Sequence, residues 1–179
     1  AAMIVQACRR DAVRAKAAAV FVIGAVVAEG IGYVQHYMPD LGIGTVHTQI
    51  IMSDALTRPA GFYLDANFYG MALVAACLVA LVLAADAVSS SERFAWLASV
   101  VVMVPVIVAT YSRTAWVGLA VGVVALLLAT PRAMWPRLVA VLAVSALIGV
   151  ALMGPTAVAH RAESMADPTR PGSNATRYL

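Results

Sequence analysis

Five apolar stretches, at residues 17–34, 68–85, 94–110, 114–130 and 138–154, constrain this chain more than any other feature. Crossing ~30 Å of hydrocarbon takes about 20 mostly apolar residues in a helix, and each stretch is near that length. None alternates apolar and polar residues as a barrel strand does, and lipid cannot satisfy exposed backbone groups, so the stretches are expected to be helices. The sequence therefore predicts an all-α fold, a polytopic transmembrane helical bundle of about five spans. Of the 179 residues, 63% are hydrophobic and only 12% charged, with a mean hydropathy of +0.88. A soluble domain of this size could not hide so much apolar surface. The net charge of +3 comes from basic residues scattered beside apolar runs, which suits anionic membrane lipids rather than nucleic acid. Cys8 and Cys77 lie far apart and indicate neither a disulfide framework nor a metal site.

The organisation that follows has three parts. Residues 1–16 have the pattern of the end of a preceding span and a cytoplasmic basic loop carrying Arg9, Arg10, Arg14 and Lys16. Residues 17–154 hold the five helices, with an outer loop at 35–67, and residues 155–179 look like the start of a periplasmic loop. Both ends are expected to be cuts through a longer protein. Ser89 and Glu92 have capping-box spacing, Asn67 is a candidate N-cap for the second helix, and Asp65 can assist it. Pro105 is expected to kink the third helix, and Gly118 with Gly122 makes a small-residue packing face on the fourth. With the N-terminal basic cluster inside, Arg93, Arg132 and Arg137 are also inside, while Arg58, Arg113, Arg161, Arg170 and Arg177 fall outside. Those five outer arginines run against the usual bias and are candidate anion sites.

Several residues could carry chemistry. The outer loop ends in Arg58-Pro-Ala-Gly61-Phe-Tyr-Leu-Asp65-Ala-Asn67. Arg58 offers a fork of donors suited to phosphate, Gly61 allows a turn, and Asp65 with Asn67 can cap the next helix. The same segment can instead be an interfacial turn anchored by Phe62 and Tyr63. The very short turn Thr110-Tyr111-Ser112-Arg113-Thr114 holds Arg113 at the membrane boundary, where it either snorkels or binds an anion, next to Ser112 and a helix start. Glu29 is an ionisable group within an apolar run and a default functional candidate; the favoured alternative is a hydrogen bond to Gln35 or His36. No metal-ligand spacing, catalytic serine set or phosphate-cradling glycine loop is present.

Gln35 after the first helix, Arg58-x-x-Gly61, Asp65-Ala-Asn67-Phe and Tyr111-Ser-Arg113 together resemble the O-antigen ligase and O-antigen polymerase superfamily of bacterial inner-membrane glycosyltransferases. The tail with Arg161, Ser173, Asn174 and Arg177 resembles the start of that family's large periplasmic loop. Departures are Ala66 where proline is frequent, Thr114 where glycine commonly follows, and Val117 where leucine is frequent. The resemblance implies transfer of a glycan from an undecaprenyl diphosphate carrier to lipid A core or to another glycan, on the periplasmic side, without metal, nucleotide or other cofactor. It implies Arg113 and Arg58, then Arg161 and Arg177, as diphosphate ligands, supported by Ser112, Asp65, Asn67 and Gly61. The family's catalytic histidine would lie beyond Leu179. The alternative from a different class is a secondary transporter whose outer arginines bind an anionic solute.

Overall fold

The computed structural model describes residues 11–41, 43, 46–51, 54–63, 65–156, 158, 159 and 163. Five helices dominate: α1 (Asp11–Tyr37), α2 (Ala66–Asp86), α3 (Ser90–Ala109), α4 (Arg113–Ala129) and α5 (Trp135–Met153). Four of the five, all but α4, are long and apolar enough to cross a membrane. With 17 residues, α4 spans only ~25 Å at the helical rise, short of the expected full span. The fold is a polytopic membrane helical bundle, as its sequence predicts.

Local chemistry sets most helix ends. The Ser89 hydroxyl accepts from the Glu92 amide at 3.1 Å, so the expected cap opens α3. At the same α2–α3 junction, Arg93 donates to the carbonyls of Ala84 and Ala87 at 3.2 and 2.7 Å and so closes the end of α2. The start of α2 corrects the sequence reading. Asp65, not Asn67, is the N-cap, because Asp65 has extended backbone and its carboxylate accepts from the Asn67 amide at 2.6 Å. Asn67 thereby lies inside the first turn with its side chain available for another task. Pro105 lies within α3 without ending it.

The helices alternate in direction. On α1, Ala28 and Gly32 meet Tyr69 near the start of α2, and on α5 Gly149 lies against Val108 and Pro105 near the end of α3. Gly118 and Gly122 of α4 face Met71 and Leu78 of α2, the close packing expected of that small-residue pair. Consequently the end of α1, the start of α2, the α3–α4 turn and the end of α5 share one end of the bundle. Arg93 belongs to the opposite end.

The buried core lies where α1, α2 and α3 meet, around Val22, Leu73, Cys77, Leu81, Met103 and Ile107. Outward faces stay apolar, as at Phe21, Val27, Val121, Leu128 and Leu147, which suits lipid rather than water. The connection after α1 is not a plain loop. Val46–Ile51 (β1) and Asp54–Pro59 (β2) pair antiparallel, with Val46 opposite Pro59 and Ile51 opposite Asp54. This hairpin ends at Arg58 and Pro59 and delivers them to the top of the helices.

Candidate functional site

The site is built around a buried glutamine. Gln35, 1% exposed near the end of α1, accepts from the amides of Ala60 and Gly61 at 3.1 and 2.9 Å. Its amide group donates to the carbonyls of Gly61 and Ile43, both at 2.9 Å. A single side chain thus replaces a strand partner for the segment after β2, which otherwise would bury unpaired backbone groups. Gly61 has a positive φ of 59°. A β-carbon there would lie 2.8 Å from a ring carbon of Tyr69, so both the turn and the ring contact call for glycine.

Arg58, 7% exposed, reaches from this clamped segment to the α3–α4 turn. Its Nε donates to the Thr110 carbonyl at 2.6 Å, and its Nη2 donates to Asn67 Oδ1 at 3.2 Å. The end of β2, the first turn of α2 and the distant α3–α4 turn are therefore joined through one guanidinium. Gly70 lets α2 approach the same turn, since a β-carbon would lie 2.9 Å from Thr110 Oγ1 and from the Ala115 β-carbon.

The turn itself is tightly specified. The Thr110 hydroxyl donates to Ile107 at 2.7 Å, and Tyr111 takes a positive φ of 48°, a conformation few non-glycine residues adopt. The buried Tyr111 ring packs with Ala109, Val108, Trp116 and Val158, which holds that backbone in place. Burial pushes the Tyr111 phenol above its ordinary pKa. Ser112 caps α4, its hydroxyl accepting from the Ala115 amide at 3.3 Å. Arg113 is then the first helical residue, half-buried, with no acidic side chain in that first turn. A cation at a helix N-terminus opposes the helix dipole, so an anion bound there would gain from both the dipole and the guanidinium.

The structure thus gathers Arg58, Gly61, Asp65, Asn67, Ser112 and Arg113 at one end of the bundle. Arg161 and Arg177, and the tail residues Ser173 and Asn174, lie outside the described residues. Glu29 departs from the favoured expectation. Among the described residues its carboxyl oxygens have no hydrogen-bond partner, and the Gln35 amide is committed instead to Ala60, Gly61 and Ile43. Nothing in the sequence singles out Thr110, whose carbonyl anchors Arg58, since any residue type offers a carbonyl.

Beneath the turn, an apolar groove of about 270 Å³ runs between α3, α4 and α5, lined by Ile107, Val108, Trp116, Leu119, Val123 and Leu142. Among the described residues no cluster of histidine, cysteine or acidic side chains could hold a metal ion. No protein-family model, curated protein or solved structure matches the chain. The family resemblance therefore rests on the quoted residues alone.

Proposed function

We propose that this chain is part of a membrane glycosyltransferase of the O-antigen ligase or polymerase type, moving a glycan from an undecaprenyl diphosphate carrier to lipid A core or to another glycan at the periplasmic face of a bacterial inner membrane. The observation that carries the reading is the bond from Arg58 to Thr110. It ties the Arg58-x-x-Gly61 segment and Asn67 to the Tyr111-Ser-Arg113 turn, so motif pieces spread from Gln35 to Arg113 lie at one end of the bundle.

In the proposed reaction the bond from the sugar to the diphosphate breaks as the acceptor hydroxyl forms the new glycosidic bond. The acceptor's proton passes to a base that no residue of this chain is assigned to supply. Negative charge grows on the departing diphosphate, and a fixed guanidinium at a low-dielectric boundary stabilises it more in the transition state than in the ground state. Arg113, at the helix start, is the residue in contact. Arg58 has Nε and Nη2 committed to the protein, so it holds the turn and adds positive charge behind it. The groove below the turn would take the carrier's apolar chain.

The test is glycan transfer by the intact protein on a polyprenyl diphosphate donor, with a chelator present. Arg113→Ala is expected to lose about 2–4 kcal/mol of transition-state stabilisation, or roughly 30- to 1,000-fold in rate. Arg113→Lys is expected to lose most activity too, because lysine cannot copy a bidentate contact. Near-normal transfer by the lysine variant would mean that Arg113 merely snorkels, and the proposal would fail.

A further inference from the structure

Glu29 lies within α1, has no exposed surface, and has no hydrogen-bond partner among the described residues for either carboxyl oxygen. Among the described residues, Tyr33 on α1 and Tyr69 and Cys77 on α2 lie within electrostatic reach of it. Both tyrosine hydroxyls are turned to backbone carbonyls, Tyr33 to Val102 at 3.1 Å and Tyr69 to Ala28 at 3.4 Å. From α3, the buried face consists of Val100, Met103, Val104, Pro105, Val106 and Ile107 with Ala109, none of which titrates. On the hairpin the cationic residue is Arg58, whose Nε and Nη2 serve Thr110 and Asn67.

An ionised carboxylate in such a place would lack both solvent exposure and, among the described residues, a hydrogen-bond donor. A folded chain avoids that cost by keeping the group neutral. The apolar groove between α1 and α2 is lined by Ala25 and Ala28 but not by Glu29. We infer that Glu29 is an intramembrane proton-binding site, its carboxyl group held as the neutral acid in the resting protein. Binding is a simple association of a proton with a carboxylate oxygen, and no other bond breaks. The site does not depend on glycan transfer.

Glutamate occurs in this sequence at positions 29, 92 and 163. The Glu92→Gln, Glu163→Gln double variant therefore leaves Glu29 as the single glutamate within these 179 residues, and both changes fall at exposed positions. The intact protein carrying these changes is prepared with glutamate carboxyl carbons isotopically labelled in this segment only, and is placed in lipid vesicles at neutral pH. The carbon resonance of a protonated carboxylic acid is the expected result. A resonance of an ionised carboxylate overturns the inference. Since the native Glu29 is observed directly, the outcome does not rely on a variant at the site or on transfer activity.

Discussion

Replacing Gln35 by leucine tests whether one side chain holds the segment that carries Arg58. Leucine keeps approximate volume but removes every polar contact, leaving the amides of Ala60 and Gly61 and the carbonyl of Gly61 without their buried partner. The Ile43 carbonyl is only partly buried, so water can replace its bond. A buried polar group left unsatisfied costs roughly 1–3 kcal/mol, so three of them set a lower limit of about 3 kcal/mol on local stability. That free energy corresponds to about 100-fold, since each 1.4 kcal/mol is tenfold. Hydrogen exchange of the protein in lipid nanodiscs, followed by mass spectrometry, reads it directly. Protection at residues 60 and 61 is expected to fall by about 100-fold or more while the middle of α2 stays protected. Gln35→Glu keeps the two acceptor contacts and loses the two donor contacts, so its loss is expected to be smaller than that of the leucine variant. Exchange at residues 60 and 61 unchanged by leucine, in a protein that remains folded, would refute the clamp. Other groups would then be satisfying that backbone.

Gly61→Ala is expected to lower the midpoint of thermal unfolding, with a cost of about 1–3 kcal/mol, because the turn has positive φ and the new methyl group meets the Tyr69 ring. A variant that melts like the wild type would show that the turn relaxes freely. For sidedness, Phe62→Cys and Val88→Cys, each in a background with Cys8→Ser, place exposed thiols at opposite ends of the bundle. A membrane-impermeant maleimide is expected to label position 62 in intact cells and position 88 only after permeabilisation. The reverse pattern would invert the orientation and overturn the proposed periplasmic placement of the site.

The helices were legible because apolar run length is a property of one segment at a time. Ser89 with Glu92 shows how far local rules reach, since the cap forms between neighbours already suited to it. The start of α2 shows where they stop. Asp65 and Asn67 both suit a cap, and Arg58 decides between them by taking the Asn67 side chain as an acceptor. The hairpin was not legible, because Val46–Ile51 and Asp54–Pro59 carry no turn dipeptide of the strong hairpin kind and no long alternation. The candidate site lay between these cases. Its arginines stood out by type and by predicted side, whereas their geometry depends on the Thr110 carbonyl and the Gln35 amide, groups without a distinctive sequence pattern.

The unequal lengths of α1 and α4 bear on the bilayer around the protein. The 27 residues of α1 make ~40 Å of helix, so it must tilt or project beyond the hydrocarbon, while α4 makes ~25 Å. A short helix draws the leaflets towards each other, and each ångström of such mismatch costs only a fraction of a kcal/mol. Arg113 begins α4 and Arg132 follows its end, so a charged side chain stands at each end of the short helix. The Thr110–Arg113 turn would then sit in a shallow dimple of the membrane surface. There the headgroup of a lipid carrier could meet the turn while its hydrocarbon chain stays at its usual depth.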